Sequence, residues 1–322
     1  MRENRIRLNG GFHNEVYYDK GINRVIRISE PGKTKDIVLA ELQWMKFLYD
    51  KGVRVPRPDM SIDIEAGRVK TTFEYISGDP VDVTNIAHWN SEMFEQMGRI
   101  LGRMHALSKE CMVQDVNRPR WTPDNPDVFQ IWRKLSPWLQ GKYEIWMQRL
   151  VPYHITRDTF GLIHNDFHQG NLIVNEGGCL TVIDFDECSY NWYAQDLAVC
   201  FYHAYWQHAS FNGDAEAFCK TFLSSFFKGY QEENLLHPDT VEQMLIFLKL
   251  REIFLYSLFL RKWDLDSLED WQKFTLQDLE GRIEKESPYA GLGDFSCLCY
   301  KNKTVGKLMR TVQSRGFCEQ NE

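Results

Sequence analysis

The chain has 322 residues, of which 43% are hydrophobic and 26% charged, and its formal net charge is −7. This composition excludes a largely disordered protein, and the length allows one large or two modest domains. The acidic balance also argues against a nucleic-acid-binding protein, because such proteins need a basic surface against the phosphate backbone.

The first 76 residues are predicted to form a small sheet with one helix. Alternating apolar and polar residues predict one hairpin over 14–29 and a second over 61–76. Between them, residues 36–51 carry apolar side chains at helical spacing, and Gly52 follows the predicted helix end. Sheet and helix together are typical of a compact N-terminal unit.

Beyond a polar connection over 77–85, SGDPVDVTN, the chain is predicted to be mainly helical. Apolar spacing predicts helices over 91–108 and 128–150, and a Pro-rich loop over 117–126 lies between them. From 196 to about 285 the pattern is again helical. The polar end of the chain, 300–322, predicts a last helix with a frayed end.

The most apolar segment, Met244–Trp263, is interrupted by Lys249, Arg251 and Glu252. A membrane span carries few charges in its middle, so we predict a buried helix and no membrane association. The start of the chain lacks the features of a secretory signal, and the scattered cysteines are typical of a reducing compartment. We therefore expect a cytoplasmic protein; its oligomeric state stays open.

The densest group of polar residues lies in GLIHNDFHQGNLIVNEGGCLTVIDFDEC, residues 161–188. Asp166 follows one apolar strand, and Asn171 precedes a second strand that turns at a Gly-Gly pair and returns to Asp184. The hairpin should bring Asp184 back to the edge that carries Asn171, beside Asp166. A few oxygen ligands suit Mg²⁺, and a free carboxylate can accept a proton from a hydroxyl. The pattern therefore favours phosphoryl transfer over a surface turn built from Asp and Asn.

These residues carry a family resemblance. His164 through Asn171 resembles the H-x-D-x-x-x-x-N catalytic loop of kinases, and Asp184-Phe185-Asp186 resembles their metal-binding motif. With WYAQDLAVCFY, they most resemble the aminoglycoside phosphotransferase/choline kinase superfamily, the small-molecule branch of the protein-kinase-like fold.

The resemblance implies an α+β, two-lobed fold. A small antiparallel sheet with one helix over 1–76 would clasp ATP, and 77–85 would be the hinge. A larger, mainly helical lobe over 86–322 would contain the catalytic hairpin and the helices that bind the acceptor.

The resemblance also implies roles for residues of the hairpin. Asp166 would be the catalytic base or would orient the hydroxyl, and Asn171 and Asp184 would hold Mg²⁺. Asp186 stands where protein kinases have glycine, and a second metal or simple solvation of the site are both open for it.

Three further residues are expected to support the catalytic loop. His164 and His168 would brace it through hydrogen bonds. Asp196 would cap the following helix and tie down the loop, with capping alone as the alternative.

The ATP end of the expected site is carried by the N-terminal sheet. Gly10 and Gly11 lie where kinases have a phosphate-covering loop, although they depart from G-x-G-x-x-G and a plain hairpin turn is the alternative. Arg27 stands where protein kinases have lysine and would contact the phosphates, unless it is a solvent-facing strand residue. Its expected acidic partner is Glu41, with Asp36 as the weaker choice.

The segment FEYISG resembles the hinge that receives adenine. The backbone of Glu74 and Ile76 would make the hydrogen bonds, and Phe73 would line the adenine pocket. This assignment rests on position, because backbone recognition leaves little trace in a sequence. It leaves ATP and GTP as alternatives for the nucleotide.

The stretch between Asp184 and Asp196 is too short for the activation segment of ordinary protein kinases, which favours a small-molecule hydroxyl acceptor. Aromatic side chains could receive a cationic amine, with packing in the core as the alternative. These candidates are Trp192, Tyr193, Tyr202, Tyr205 and Trp206. Choline, aminoglycosides, homoserine-like amino alcohols and sugars all stay open as acceptors.

Two other functions are compatible with the same motifs. A protein Ser/Thr kinase of this superfamily would phosphorylate proteins despite its short segment. A nucleotide-binding pseudokinase would act as an interaction module, which the atypical glycine loop and Arg27 leave open.

Overall fold

The computed structural model describes residues 5–8, 14–110, 117–122 and 135–289. Within them the order of elements begins with a small sheet and its helix, which form the N-terminal lobe. These elements are β1 (Arg5–Leu8), β2 (Glu15–Asp19), β3 (Arg24–Ile28), α1 (Lys35–Asp50), β4 (Asp63–Glu65) and β5 (Arg68–Glu74).

The remaining elements form the larger lobe, with a short strand in the connection before it. They are β6 (Asp79–Pro80), α2 (Ser91–Glu110), α3 (Pro137–Gln148), β7 (Phe160–Ile163), β8 (Leu172–Val174), β9 (Leu180–Val182), β10 (Ser189–Trp192), α4 (Tyr193–Phe211), α5 (Ala215–Glu233), α6 (Pro238–Lys262) and α7 (Asp270–Lys285).

The N-terminal sheet is antiparallel, with strand order β1-β2-β3-β5-β4. Both predicted hairpins are confirmed. The second turns at Ala66 and Gly67, whose φ angles of 52° and 77° are left-handed. This pair of positive φ angles matches the right-handed twist of the strands, as two-residue hairpin turns require.

Helix α1 begins after Thr34, whose side chain accepts a hydrogen bond from the Ile37 N–H, and it ends before Gly52 at φ 81°. Its apolar face is fully buried, with Val38 and Leu42 at 0% exposure. Burial of an apolar stripe at this spacing fixes the rotation of the helix. That rotation turns Glu41 inward toward β3.

The connection 77–85 is less irregular than its composition suggests. Two of its residues form β6, which pairs with β8 in a second sheet of order β6-β8-β9. The connection is therefore hydrogen-bonded directly to the predicted catalytic hairpin.

Helices α2 and α5 pack with their backbones almost in contact. A Cβ atom on Gly98 would lie 1.9 Å from the carbonyl oxygen of Phe226, and one on Gly229 would lie 1.9 Å from that of Glu95. Only glycine allows such an approach. This contact holds α2, which carries His105, against the rest of the helical lobe.

The predicted loop over 117–126 is only partly correct. In its described part, 117–122, the chain runs parallel to β10: the Tyr190 N–H donates to Pro119 O and the Trp121 N–H donates to Tyr190 O, both at 2.8 Å. Strand β10 also pairs antiparallel with β7. The predicted helix over 128–150 is described from α3 onward, and the segment 300–322 lies outside the described residues.

Among the described residues, no helix has both the length and the apolar character needed to cross a membrane. The apolar segment around Lys249 is the buried helix α6, as predicted.

Candidate active site

The catalytic loop begins where β7 ends, and the side chain of Asp196 holds the start of the loop through hydrogen bonds. The Asp196 carboxylate accepts hydrogen bonds from the backbone N–H groups of His164 at 2.9 Å and Asn165 at 2.6 Å. Asn165 is left-handed, with φ 72°. The expectation that Asp196 ties down the loop agrees with these contacts. The expectation that it caps the helix is wrong, because α4 starts at Tyr193 and Asp196 lies inside its first turn.

Asp196 is itself held by a buried chain of hydrogen bonds that runs through α2 and α5. His105 of α2 contacts the Asp196 carboxylate through Nε2 at 3.1 Å and the Tyr230 hydroxyl through Nδ1 at 2.9 Å. Tyr230 in turn accepts from Asn234. Burial lowers the pKa of His105 from 6.5, so the neutral ring donates to Asp196. The sequence analysis missed His105, whose signal is a lone histidine among apolar helix positions.

His164 and His168 both make hydrogen bonds within the catalytic loop, and their bracing role stays a prediction. The His164 ring accepts from the Asp166 N–H at 3.3 Å and donates to the Ile183 carbonyl at 3.0 Å. It therefore links the loop to the last strand of the hairpin. His168 accepts from the Gly170 N–H at 3.0 Å, which starts a single 3₁₀ turn over Gln169–Asn171.

The Asp166 carboxylate is held on both of its oxygens. Arg251 Nη2 donates to Oδ1 at 2.7 Å, and Asn171 Nδ2 donates to Oδ2 at 3.1 Å. His168 Nε2 lies 3.4 Å from the same Oδ2. Burial opposes ionisation, but His168 and Arg251 outweigh it and hold the pKa of Asp166 well below its usual range. Asp166 is thus an oriented carboxylate.

Arg251 and His203 are site residues that the sequence analysis did not assign. His203 Nε2 accepts from Arg251 Nη2 at 2.7 Å, and its ring stacks on His168 with centroids 4.2 Å apart. Burial, His168 and Arg251 lower the pKa of His203 well below 6.5. Asp166, His168 and His203 are close enough to share an ion, but the Arg251 guanidinium already fills the space between Asp166 and His203.

The hairpin brings Asn171 and Asp184 to one edge. Leu172 pairs with Val182, and the Ile183 N–H donates to the Asn171 carbonyl at 3.0 Å. Asp184 follows with a left-handed φ of 63°. Although water reaches its carboxylate, desolvation by the surrounding protein and repulsion by Asp186 raise its pKa.

Asp186 is 4% exposed, and its carboxylate lies near one amide and two cationic side chains. Asn14 Nδ2 donates to Oδ2 at 3.0 Å, Lys33 forms an ion pair with the same oxygen, and Arg27 Nη1 lies 3.7 Å from Oδ1. Arg27 and Lys33 overcome burial and lower the pKa of Asp186 to about 2. Its Oδ1 is buried and has no hydrogen-bond partner within the part of the chain that the structure describes.

This donor set fits a divalent cation. Asn171 uses its amide nitrogen on Asp166, so its amide oxygen is the ligand atom that it can offer. The carboxylates of Asp184 and Asp186 repel each other, and a hard divalent cation bound between them would reduce this repulsion.

Arg27 and Glu41 form the predicted ion pair. Both terminal nitrogens of Arg27 donate to the Glu41 carboxylate at 2.7 Å, and the guanidinium lies over the Phe73 ring, 5.2 Å from its centroid. At the predicted hinge, the Glu74 N–H donates to the Arg57 carbonyl at 2.9 Å. Adenine recognition by Glu74 is thereby limited to its carbonyl. Gly10 and Gly11 lie outside the described residues.

Arg118 is a further residue that sequence reasoning did not find. Its guanidinium donates to the backbone carbonyls of Asp186, Cys188 and, at 3.2 Å, Ile37 of α1. It therefore holds together the end of the catalytic hairpin and the helix that carries Glu41.

The prediction of an aromatic acceptor wall is wrong for four of its five residues. Trp192 and Tyr193 are 0% exposed, and Tyr202 and Tyr205 are 3% and 7% exposed. Their rings pack on other core rings, among them Phe160 on Trp192 and His105 on Tyr193. Apolar burial, rather than ligand binding, accounts for them. Trp206, which is partly buried, stays a prediction.

Fold and site together define a kinase-like phosphotransferase: two lobes, an oriented aspartate, and a pair of acids beside it. The phosphotransferase enzyme family (APH) matches residues 5–236, and the chain belongs to this family. The predicted family, fold class and enzyme class are thereby confirmed: the chain is an ATP-dependent phosphotransferase that acts on an alcohol group.

Two amicoumacin kinases are similar to the chain along most of its length. The enzyme of Bacillus subtilis (strain 168) is 30% identical over 280 residues, which cover 83% of this chain and 82% of that protein. The structure of amicoumacin kinase hAmiN in complex with AMP-PNP, Ca²⁺ and Ami has a TM-score of 0.81 at 27% identity, covering 92% of each chain. Its ligands agree with the predicted use of ATP and a divalent cation.

A microcompartment-associated aminopropanol kinase shares the fold. Its TM-score is 0.68 at 18% identity, covering 87% of this chain and 90% of that one.

Proposed function

We propose that this enzyme transfers the γ-phosphate of ATP to a hydroxyl group of an amicoumacin-type small molecule. The observation that carries the reaction is the Asp166 carboxylate, which Arg251 and Asn171 hold in one orientation beside the acidic edge at Asp184. Similarity to the Bacillus subtilis amicoumacin kinase over most of both chains supports the acceptor.

Asp166 would orient the attacking hydroxyl and accept its proton. Its lowered pKa keeps it ionised at neutral pH, so it can accept a hydrogen bond from the acceptor. Phosphoryl transfer asks for positioning more than for a strong base, because its transition state is loose. An oriented but weakly basic carboxylate therefore suits the reaction.

Asn171 and Asp184 would hold a divalent cation, with Asp186 beside them. A cation bound there would neutralise charge on the phosphate oxygens during transfer. The hydrogen bonds from Ile183 to Asn171 and from His164 to Ile183 keep the ends of the hairpin strands together. The protein thus fixes the ligand positions through its backbone.

The N-terminal lobe would bind the nucleotide. The carbonyl of Glu74 and the backbone of Ile76 would meet adenine, with Phe73 lining the pocket. The buried pair of Arg27 and Glu41 would fix α1 against β3 behind the phosphates.

The surroundings of Asp166 favour an acceptor with a carbonyl or amide near its reacting hydroxyl. Arg251 places guanidinium N–H donors next to the Asp166 carboxylate, with Nη2 at 2.7 Å from Oδ1. A carbonyl or amide oxygen beside the hydroxyl would give the Arg251 guanidinium a further acceptor.

A panel assay tests this proposal. The purified protein is incubated with ATP and Mg²⁺ and with amicoumacin, aminopropanol, choline, homoserine, kanamycin or a hexose. ADP release and the mass of the product are measured for each compound. We expect phosphorylated amicoumacin in the parent and a loss of about 10²- to 10⁴-fold in Asp166→Asn, as for removal of a general base.

Asp50→Asn is the matched control. Asp50 lies on the exposed surface of α1, where it forms an ion pair of 2.6 Å with Lys46. Equal turnover by the parent and Asp166→Asn would remove the proposed role of Asp166. Phosphorylation of aminopropanol or choline in preference to amicoumacin would contradict the proposed acceptor. Transfer to protein in a cell extract would favour a protein kinase, and ATP binding without any turnover would favour a pseudokinase.

A further inference from the structure

Arg27 is the residue that was expected to contact the phosphates, but its guanidinium is already paired with acidic side chains of the protein. Both of its terminal nitrogens donate to Glu41, and Nη1 also lies 3.7 Å from Asp186. The side chain is 5% exposed. A buried guanidinium whose charge is matched by two acids has little left for a third anionic group. The phosphates therefore need another cation.

Lys33 is placed to supply that charge. It lies in the turn between β3 and α1, directly after Gly32, whose φ of 94° turns the chain toward the cleft. Its ammonium group reaches from the N-terminal lobe to Asp186 of the catalytic hairpin and lies 3.7 Å from Glu30. The side chain is 15% exposed, so water and ligands can reach it.

Asn14 makes this turn part of the nucleotide end of the site. Its Nδ2 donates to Asp186, and its Oδ1 accepts from the Glu30 N–H at 3.1 Å. The turn, the start of β2 and the catalytic hairpin thus meet at one carboxylate. The other oxygen of that carboxylate lies 3.7 Å from Arg27 Nη1 and has no hydrogen-bond partner among the described residues.

We propose that Lys33 binds the phosphate groups of the nucleotide, and that its ion pair with Asp186 is the arrangement of the nucleotide-free enzyme. The inference rests on the proposed function, which supplies the nucleotide. A lysine suits this exchange, because its ammonium is a point charge on a flexible stem and can move from one anion to another. Arg27 then has a structural role and Lys33 the phosphate-binding role.

The test compares the binding of a nucleotide, ATP, with that of its nucleoside, adenosine, which has no phosphate. Dissociation constants for ATP with Mg²⁺ and for adenosine are measured by calorimetry for the parent, Lys33→Ala, Lys33→Arg and Lys35→Ala. Lys35 is the matched control: it is an exposed lysine two residues away. We expect Lys33→Ala to weaken ATP binding by about 10- to 100-fold and to leave adenosine binding unchanged, as for loss of a charge-assisted contact.

Lys33→Arg should keep most of the affinity for ATP, and Lys35→Ala should bind both ligands like the parent. Parent-like ATP binding by Lys33→Ala would overturn the proposal, and so would an equal loss of ATP and adenosine binding, which indicates damage to the fold. A parent that bound neither ligand would overturn the proposed function itself.

Discussion

Arg251 of α6 and Asp166 of the catalytic loop form an ion pair of 2.7 Å between residues 85 positions apart in the chain. The same guanidinium nitrogen contacts His203 of α4. Arg251 therefore fixes the position of the reacting carboxylate relative to the two helices that follow the catalytic hairpin. It is a positioning residue, and its effect on the reaction passes through Asp166.

Replacing Arg251 should reduce turnover without affecting nucleotide binding. Arg251→Met removes the donor to Asp166 and His203, and loss of a charge-assisted hydrogen bond is worth about 1.5–3 kcal/mol. We expect kcat to fall by about 10- to 100-fold and the KM for ATP to stay near the parent value, which steady-state kinetics can measure. Arg261→Met is the control on the same helix, since Arg261 donates to the Ser257 carbonyl only one turn away.

Arg251→Lys should recover part of the lost kcat, because lysine keeps the charge but offers no planar fork. A parent-like kcat in Arg251→Met would show that Asp166 is oriented without this ion pair.

Acid should weaken the fold through His105. Burial lowers the pKa of His105 in the folded state, whereas in the unfolded chain it titrates near 6.5. Below that pH the unfolded chain binds a proton that the folded protein does not, so stability falls as the pH falls. The slope is at most about 1.4 kcal/mol per pH unit for one histidine. Urea unfolding between about pH 7.5 and about pH 5.5 measures it.

His105→Gln is the variant to compare. It should be less stable than the parent at neutral pH, because Asp196 and Tyr230 lose their partner, but its stability should depend less on pH over the same range. Part of the slope should remain, since His203 is shifted in the same direction. An unchanged slope in His105→Gln would assign the acid sensitivity to other groups.

The contact between α2 and α5 should not tolerate a methyl group. In Gly98→Ala the new Cβ would overlap the Phe226 carbonyl, so the helices must separate. We expect a loss of about 1–3 kcal/mol or more in the free energy of unfolding. Gly141→Ala in α3 is the control, because outside its chain neighbours and its own helix backbone no atom of the described residues lies within 4 Å of its Cβ position. It should be neutral or stabilising by up to about 1 kcal/mol, and equal effects at both positions would contradict the packing argument.

Much of the site could be predicted because its residues are close in sequence. Asp166, Asn171 and Asp184 belong to one hairpin, and strand pairing of Leu172 with Val182 brings them to one edge whatever surrounds them. The partner of Arg27 could also be predicted, since helical spacing on α1 leaves few acids that face β3. Local periodicity and short connections were sufficient for these residues.

Arg251, His203, His105 and Arg118 could not be predicted, because their roles depend on how distant elements pack. Arg251 and His105 each sit in an apolar helix, and sequence shows only that such residues must be paired. The prediction for the aromatic residues after the hairpin was wrong because their chemistry suits both a ligand site and a core, and the sequence does not distinguish the two. Tyr193 and Tyr202 look suited to a ligand, but they are buried, with ring contacts to His105, His203 and Tyr289.

The guanidinium of Arg118 donates to three backbone carbonyl oxygens, and every residue type carries that oxygen. The side chains at 37 and 188 can therefore change without removing these contacts, provided that the arginine and the path of the main chain remain, whereas Asp186 also has side-chain partners of its own. The position of the catalytic edge relative to α1 is thus set through backbone oxygens, which a change of side chain leaves in place.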